Sequence, residues 1–266
     1  MMKKVTVSTL AKRAEANEKL VMSTAYDAIQ AGLCMSAGID FMLVGDSVGM
    51  THLGYANTLP VTMADMLAHT AAVRRGAPEA FVVFDMPFMS YQQSDEAAMI
   101  NAGEALKTTG ADAVKLEGGA EFAPLVRKMT GAGIPVMGHI GLMPQRVQVC
   151  GGYKVVGRDE AGAEQVLSDA LALQEAGAFA IVLECVPEAL AKAVTGKLRI
   201  PTIGIGSGKY CSGQVQVITD LLGLQEFKPK HAKRYMEGCE LISRALKQYA
   251  DEVRNGEFPA PENTFQ

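Results

Sequence analysis

Ionisable side chains stand at the ends of several short apolar runs in this sequence. They are Asp46 after FMLVG, Asp85 after FVVF, Lys115 and Glu117 in DAVKLE, His139 in IPVMGHI, and Glu184 in FAIVLE. The runs have the length and composition of buried strands. Because an unpaired carboxylate is costly to bury, each acidic group needs either a partner or a function.

The three acidic groups Asp46, Asp85 and Glu117 have the chemistry of a metal site. If their strands are sequential neighbours in a parallel sheet, adjacent backbones lie about 4.8 Å apart. Carboxylates at that spacing repel one another unless a cation lies between them. Oxygen-only ligation suits Mg²⁺, which retains water or substrate ligands. The pattern therefore predicts a magnesium site formed by these three side chains.

Lys115 is expected to share the metal site. It precedes Glu117 by two residues, so the two side chains face the same side of the strand, whereas Leu116 faces the other. The spacing predicts an ammonium group beside the metal, suited to holding a substrate carboxylate.

Each of these groups also has a structural interpretation. Asp46 and Asp85 could be helix caps or turn residues, and Lys115 with Glu117 could be a structural ion pair. His139 alone is more typical of a hydrogen-bonded core histidine. The position of the whole set at one end of the strands favours a functional site.

Two further features lie near the strand ends. The glycine-rich GIGSG at 204–208 could cradle a phosphate or form a tight turn. Cys185 follows Glu184 directly, so its thiol is expected to face away from the site and not to act as a nucleophile.

The elements that position these residues alternate along the chain. Helix-type stretches, such as 62–75 and 95–109, separate the apolar runs, and an eighth run at 215–224 is less regular. Such alternation predicts an all-parallel sheet covered by helices. The seven clear strand predictions are 20–26, 41–46, 81–85, 112–117, 134–140, 179–184 and 200–206.

Two architectures fit this alternation, an open doubly wound sheet and a closed (β/α)8 TIM barrel. The even recurrence, the length of 266 residues and the lack of GxGxxG after the first strand favour the barrel, as a single domain over 1–266. Barrels of this class place their active sites at the carboxyl ends of the strands, where the polar set lies. We also expect a short N-terminal lead-in and an extended C-terminal arm after about residue 255, which could lie on a neighbouring subunit.

Composition narrows the class of protein. The net charge is −4, without a basic stripe, which argues against a nucleic-acid partner. No segment resembles a membrane span or a signal peptide. The five cysteines are widely spaced and lack a CxxC pair, so neither a zinc site nor a disulfide framework is expected. We therefore expect a soluble cytoplasmic protein.

The sequence contains, in order, the stretches TAYD (24–27), MLVGDSVGM (42–50), TLPVTMADM (58–66), DMPFMSY (85–91), VKLEGG (114–119), GHIGLMPQ (138–145), GGYKVVGR (151–158), VLECVP (182–187) and GIGSG (204–208). Taken together, these motifs resemble the ketopantoate hydroxymethyltransferase family over nearly the whole chain. The sequence departs from the family pattern at Ser207, where alanine is frequent, and at His231, where an aromatic residue is common. Neither residue belongs to the predicted polar set.

The resemblance implies a (β/α)8 barrel, Mg²⁺ as cofactor and a homodecamer of two stacked pentameric rings. It also implies a role for each residue of the polar set. Glu184 would be the catalytic base. The implied metal residues are Asp46, Asp85 and Glu117, and the implied substrate-binding residues are Asp46, Ser47, Asp85, Lys115 and His139.

The implied reaction transfers a hydroxymethyl group from 5,10-methylenetetrahydrofolate to 3-methyl-2-oxobutanoate. It gives 2-dehydropantoate (ketopantoate), in pantothenate and coenzyme A biosynthesis, through a Mg-stabilised enolate. A 2-oxoacid can chelate Mg²⁺, and Glu184 could remove the C3 proton if its apolar setting raises its pKa.

Three rival hypotheses remain at this point. The runner-up is a Mg-dependent 2-oxoacid lyase or mutase of the phosphoenolpyruvate mutase/isocitrate lyase type, although the KxCGH-type loop frequent there is absent. A Schiff-base aldolase using Lys115 is the second. The third is a degenerate barrel that serves as a binding or scaffold protein.

Overall fold

A computed structural model describes residues 4–265 and contains a closed barrel of eight parallel strands in sequential order, with β8 pairing with β1. The closed barrel confirms the (β/α)8 prediction over the open doubly wound sheet. The strands are Leu20–Thr24 (β1), Phe41–Val44 (β2), Phe81–Asp85 (β3), Ala113–Glu117 (β4), Val136–Gly141 (β5), Ala180–Glu184 (β6), Thr202–Ile205 (β7) and Gly213–Gln216 (β8).

Helices alternate with the strands, as the sequence predicts. Short 3₁₀ turns lie at Ala120–Phe122, Pro144–Arg146 and Pro261–Asn263. Within the described residues, no helix is long and apolar enough to cross a membrane. The α-helices are Val7–Glu15 (α1), Ala28–Ser36 (α2), Val48–Thr51 (α3), Met63–Gly76 (α4), Asp95–Thr109 (α5), Ala123–Gly131 (α6), Val147–Cys150 (α7), Glu160–Glu175 (α8), Glu188–Lys197 (α9), Ile218–Leu221 (α10) and Gly238–Asn255 (α11).

The two helices predicted at 62–75 and 95–109 are confirmed to within a residue. The Thr62 hydroxyl accepts a hydrogen bond from the Asp65 backbone N–H, and the Asp65 carboxylate accepts one from the Thr62 N–H. This reciprocal capping satisfies backbone donors that the first helical turn leaves free. At the start of α5, the Ser94 hydroxyl alone provides the cap, accepting a hydrogen bond from the Ala97 backbone N–H.

The eighth strand differs from its prediction. β8 begins at Gly213, two residues before the predicted run, and ends at Gln216, while half of the remaining run forms the helix α10. The start of β8 depends on a tertiary contact with β1. A Cβ on Gly213 would lie only 2.4 Å from the carbonyl oxygen of Leu20. A glycine therefore permits the close approach that pairs β8 with β1.

The amino ends of the strands are closed by apolar side chains. The rings of Phe41 and Phe81 lie 6.4 Å apart, and those of Phe81 and Phe179 lie 5.8 Å apart, both edge to face. Leu10 of α1 belongs to the same buried cluster. The predicted N-terminal lead-in thus contains a helix, and its residues 1–3 lie outside the described part of the chain.

The chain divides into two compact units, one up to Val217 and one from Ile218. The first contains the whole barrel. In the second, the segment after Asn255 folds back on α11: the backbone N–H of Phe258 donates to Glu252, and its ring lies 5.5 Å from Tyr249. The single-domain assignment and the contact of this arm with a neighbouring subunit stay predictions.

Candidate active site

Strand register brings the predicted site residues together. Asp85 on β3 pairs with Lys115 on β4, and Glu117, two residues further along β4, pairs with His139 on β5. Glu184 ends β6, the next strand. Because alternate residues of each strand face the barrel interior, these side chains converge at the carboxyl ends of the strands.

Lys115 forms a buried ion pair in this site. Its Nζ lies 2.5 Å from Oδ1 of Asp85 and 4.0 Å from Oε1 of Glu117, and all three side chains are buried. Burial lowers the pKa of Lys115, but the neighbouring carboxylates outweigh it and raise the pKa above its ordinary value. A permanently charged ammonium is a poor nucleophile, so the geometry disfavours the Schiff-base aldolase.

Asp46 lies in the turn after β2, beyond the end of the strand. Its backbone N–H donates to Oδ2 of Asp85 at 3.1 Å, and its carboxylate caps no helix. The next residue, Ser47, shares a 2.8 Å hydrogen bond with the Tyr26 hydroxyl. A Cβ at Gly45 would lie 2.8 Å from the Ser47 Oγ, so a side chain here would force the Ser47 hydroxyl to move. The turn thus carries Asp46 and Ser47 to the strand ends.

His139 lies between two carboxylates. Its Nδ1 is 3.5 Å from Glu117 and its Nε2 is 3.3 Å from Glu184, although neither buried nitrogen has a well-aligned hydrogen-bond partner among residues 4–265. Burial and Lys115 lower the pKa of His139, but both carboxylates raise it, to about 9. The two carboxylates therefore favour the protonated form of His139. The Glu184 side chain is 16% exposed, so it is accessible from the barrel mouth.

The carboxylates fit a divalent cation. Burial, with the charges of Asp85 and Glu117, raises the pKa of Asp46 well above its ordinary value, and burial also raises the pKa of Asp85. Burial raises the pKa of Glu117 as well, but His139 and Lys115 outweigh it and lower that pKa. Ionisation of Asp46 and Asp85 is thus unfavourable in this buried setting. A cation that prefers oxygen ligands would stabilise both carboxylates.

The three predicted metal residues differ in their direct contacts. Asp46 and Asp85 are adjoining, whereas Glu117 faces His139 and Lys115. The described residues contain no group of three or more His, Cys, Asp or Glu side chains that could hold a metal by themselves. This geometry suits Mg²⁺, which takes one or two protein carboxylates and completes its shell with water and substrate.

Two buried residues that the sequence did not single out complete the site. Gln145 donates a 2.9 Å hydrogen bond from Nε2 to Oδ2 of Asp46, and the Tyr91 hydroxyl donates to Oε1 of Gln145 at 2.9 Å. Both lie in motifs quoted above, DMPFMSY and GHIGLMPQ. Apart from their place in these motifs, nothing in the sequence marks either residue as part of the site.

The two remaining features near the strand ends are structural. Ser207 of GIGSG is fully buried and donates a 2.7 Å hydrogen bond to the carbonyl of Leu183 at the end of β6. This contact favours a tight turn over a phosphate cradle. Burial and Glu184 raise the pKa of the Cys185 thiol to about 11, which argues against a nucleophile. None of the chain's five cysteines, all described, is in a disulfide.

Fold and site together define an enzyme of the (β/α)8 class, with buried charged groups at the carboxyl ends of its strands. The family model described as ketopantoate hydroxymethyltransferase matches residues 4–261. The chain belongs to that family and is a hydroxymethyltransferase.

Curated relatives agree over nearly the full length. The 3-methyl-2-oxobutanoate hydroxymethyltransferase of Desulfotalea psychrophila is 54% identical over 265 residues, covering 99% of this chain and 95% of the relative. That of Kosmotoga olearia is 57% identical, covering 93% of each chain. That of Thermotoga maritima is 55% identical, covering 96% of this chain and 94% of the relative.

Solved structures share the fold at low sequence identity. A 2,3-dimethylmalate lyase of the PEP mutase/isocitrate lyase superfamily has a TM-score of 0.61 at 16% identity, covering 98% of this chain and 93% of that one. A phosphonopyruvate hydrolase, solved with oxalate and Mg²⁺, has a TM-score of 0.62 at 13% identity, covering 97% and 93%. At such identities the likeness concerns the fold alone, so the family match decides against the runner-up lyase or mutase.

Proposed function

We propose that this enzyme transfers a hydroxymethyl group from 5,10-methylenetetrahydrofolate to 3-methyl-2-oxobutanoate. The product is 2-dehydropantoate, the ketopantoate of pantothenate and coenzyme A biosynthesis. The observation that carries the proposal is the buried Asp46–Asp85–Lys115 cluster, with Glu184 accessible from the mouth. Such a site can hold a small chelating acid and offer a base to it. The donor and the acid are the substrates implied by the family.

The cluster would hold the 2-oxoacid through Mg²⁺. Asp46 and Asp85 would carry the cation, with Glu117 adding negative charge from beyond Lys115. Bound there, Mg²⁺ would polarise the 2-oxo group and make the C3–H bond more acidic. Lys115 and the Ser47 hydroxyl would orient the carboxylate of the acid.

Glu184 would act as the base that removes the C3 proton. Its carboxylate lies at the mouth of the site and next to His139, which would orient it and help to bind the substrate. The electron pair left at C3 then forms a C–C bond to the methylene carbon of the donor as one of the two carbon–nitrogen bonds of that carbon breaks. Water supplies the hydroxyl oxygen as the second carbon–nitrogen bond breaks. The C3 proton taken by Glu184 and the proton released by water go to the two nitrogens, which gives tetrahydrofolate and ketopantoate.

The proposal is tested with the purified full chain, both substrates and Mg²⁺. Ketopantoate, measured by mass spectrometry, should form only when the folate donor is present. EDTA should abolish its formation, and excess Mg²⁺ should restore it. Ketopantoate formed equally well in EDTA would exclude the metal, and no formation under any condition would exclude the reaction.

We propose a homodecamer in the cytoplasm as the setting for this reaction. The family resemblance supports the assembly, and a substrate pair of small diffusible molecules suits a cytoplasmic enzyme. Neither a nucleic acid nor a membrane is needed as a partner.

A further inference from the structure

Gln145 makes contacts to three successive strand ends of the site. It lies in the 3₁₀ turn Pro144–Arg146 after β5 and is 3% exposed. Its backbone N–H donates to Oε2 of Glu117 at 3.0 Å. Its side-chain Nε2 donates to Oδ2 of Asp46 and to the carbonyl oxygen of Met86, each at 2.9 Å. A residue that follows β5 thus binds groups at the ends of β2, β3 and β4.

Its amide orientation is determined by these partners. Both neighbours of Nε2 are acceptors only, a carboxylate and a carbonyl, so the NH₂ group must point towards them. The amide oxygen accepts from the Tyr91 hydroxyl at 2.9 Å and from Nε2 of Gln92 at 3.1 Å. All the hydrogen-bonding capacity of the amide is therefore used within the site.

Tyr91 extends the network to the backbone of β4. Its hydroxyl accepts from the Glu117 backbone N–H at 3.0 Å and lies 3.1 Å from the Glu117 carbonyl oxygen. Gln145 and Tyr91 thus hold both the side chain and the backbone of Glu117. Asp46 lies in a turn and not in a strand. The hydrogen bond from the Gln145 amide connects its carboxylate to this network.

We propose that Gln145, held by Tyr91 and tied to Glu117, is the positioning residue that orients the Asp46 carboxylate for the bound cation. The proposal rests on the proposed function for the identity of the cation. It assigns Gln145 no contact with the metal or with the substrates. Removing a hydrogen bond to a carboxylate that binds a metal typically weakens metal binding 10–100-fold.

The test uses Gln145→Met, which removes the amide, keeps a similar volume and leaves the backbone N–H to Glu117. Tyr91→Phe removes the supporting hydroxyl and serves as an independent second variant. The matched control is Gln174→Met in α8, another buried glutamine, whose amide oxygen accepts from the Arg199 backbone N–H at 2.6 Å.

The readout is Mn²⁺ binding, followed by electron paramagnetic resonance of the free ion, with and without 3-methyl-2-oxobutanoate. Melting temperatures in EDTA are recorded in parallel. We expect Gln145→Met to bind Mn²⁺ at least about tenfold more weakly, with a smaller loss for Tyr91→Phe. Gln174→Met should bind Mn²⁺ like the wild type, even where its melting temperature falls.

Wild-type Mn²⁺ affinity in Gln145→Met would overturn the proposal, whatever its melting temperature. Equal losses of affinity in Gln145→Met and Gln174→Met would also overturn it, because a general structural effect would then explain both. A wild type that binds no Mn²⁺ would overturn it too. If Gln145→Met does not fold, wild-type affinity in Tyr91→Phe overturns it. Failure of the wild type to form ketopantoate would reject the proposed function and leave this binding comparison valid.

Discussion

At the scale of single residues, the site separates buried charged groups from one carboxylate that is open to the mouth. Lys115 and Asp85 are buried together, 2.5 Å apart. Glu184 instead lies beside His139 and is partly exposed. A base must reach a substrate proton, so Glu184 suits that role better than the buried carboxylates.

Glu184→Gln should abolish proton removal while sparing substrate binding. The amide keeps the shape of the side chain but cannot take a proton, so exchange of the C3 proton of 3-methyl-2-oxobutanoate in D₂O should fall by about 10²-fold or more. Exchange is followed by proton NMR with Mg²⁺ and without the folate donor.

The control for this variant is Glu175→Gln on α8, where an exposed glutamate pairs with Arg199 outside the site. Its exchange rate should equal that of the wild type. An unchanged rate in Glu184→Gln would assign the base to another group. Loss of Mg²⁺-dependent binding of the acid would show instead that Glu184 acts in binding.

At the scale of elements, the two ends of the strands differ in what they contribute. The amino ends carry the aromatic cluster of Phe41, Phe81 and Phe179, and the carboxyl ends carry the charged groups. Packing at one end holds the strands in the register that pairs Asp85 with Lys115 at the other. The amino ends of the strands thus stabilise the barrel, and the carboxyl ends of the same strands carry the groups of the site.

Phe81→Ala should therefore cost stability. Phe81 is 3% exposed and contacts both other rings of the cluster, so its truncation leaves a cavity and should cost about 3–5 kcal/mol. For a chain of this size that corresponds to a melting temperature lower by about 10 °C. Differential scanning calorimetry measures the change.

Ile100→Ala is the matched control, because Ile100 on α5 is 69% exposed and should cost little. A melting temperature of Phe81→Ala within 2–3 °C of the control, a margin of about 1 kcal/mol, would contradict the structural role of the aromatic cluster.

Elements with local signals were predictable from sequence. The helix at 62–75 carries its own cap in Thr62 and Asp65, so its start follows from local hydrogen bonds. β8 was misplaced because its start depends on pairing with β1, a contact between residues about 190 positions apart.

The candidate site followed the same division between local and long-range signals. The charged set was predictable because buried strands rarely end in unpaired charges. The role of Gln145 was not, since its partner Asp46 lies 99 residues earlier in the chain. An uncharged amide in a loop also gives no local sign of being buried.

At the scale of the whole molecule, α11 has a surface that suits self-association. Ile242, Leu246, Tyr249 and Val253 follow one face of the helix at spacings of four, three and four residues, and each is between 45% and 62% exposed. Apolar residues at this spacing form a continuous stripe, which is typical of a helix that packs against a partner. The stripe agrees with the homo-oligomer that the family resemblance implies.

Leu246→Glu should therefore dissociate or shrink the assembly, because a carboxylate in a packed apolar interface is costly to bury. Arg244→Glu is the control, since Arg244 lies on the opposite face of α11 and its substitution introduces the same carboxylate. Light scattering coupled to size-exclusion chromatography should give the full mass for the wild type and Arg244→Glu, and a smaller mass for Leu246→Glu. An unchanged mass in Leu246→Glu would show that the interface lies on another surface. A monomeric wild type would contradict self-association.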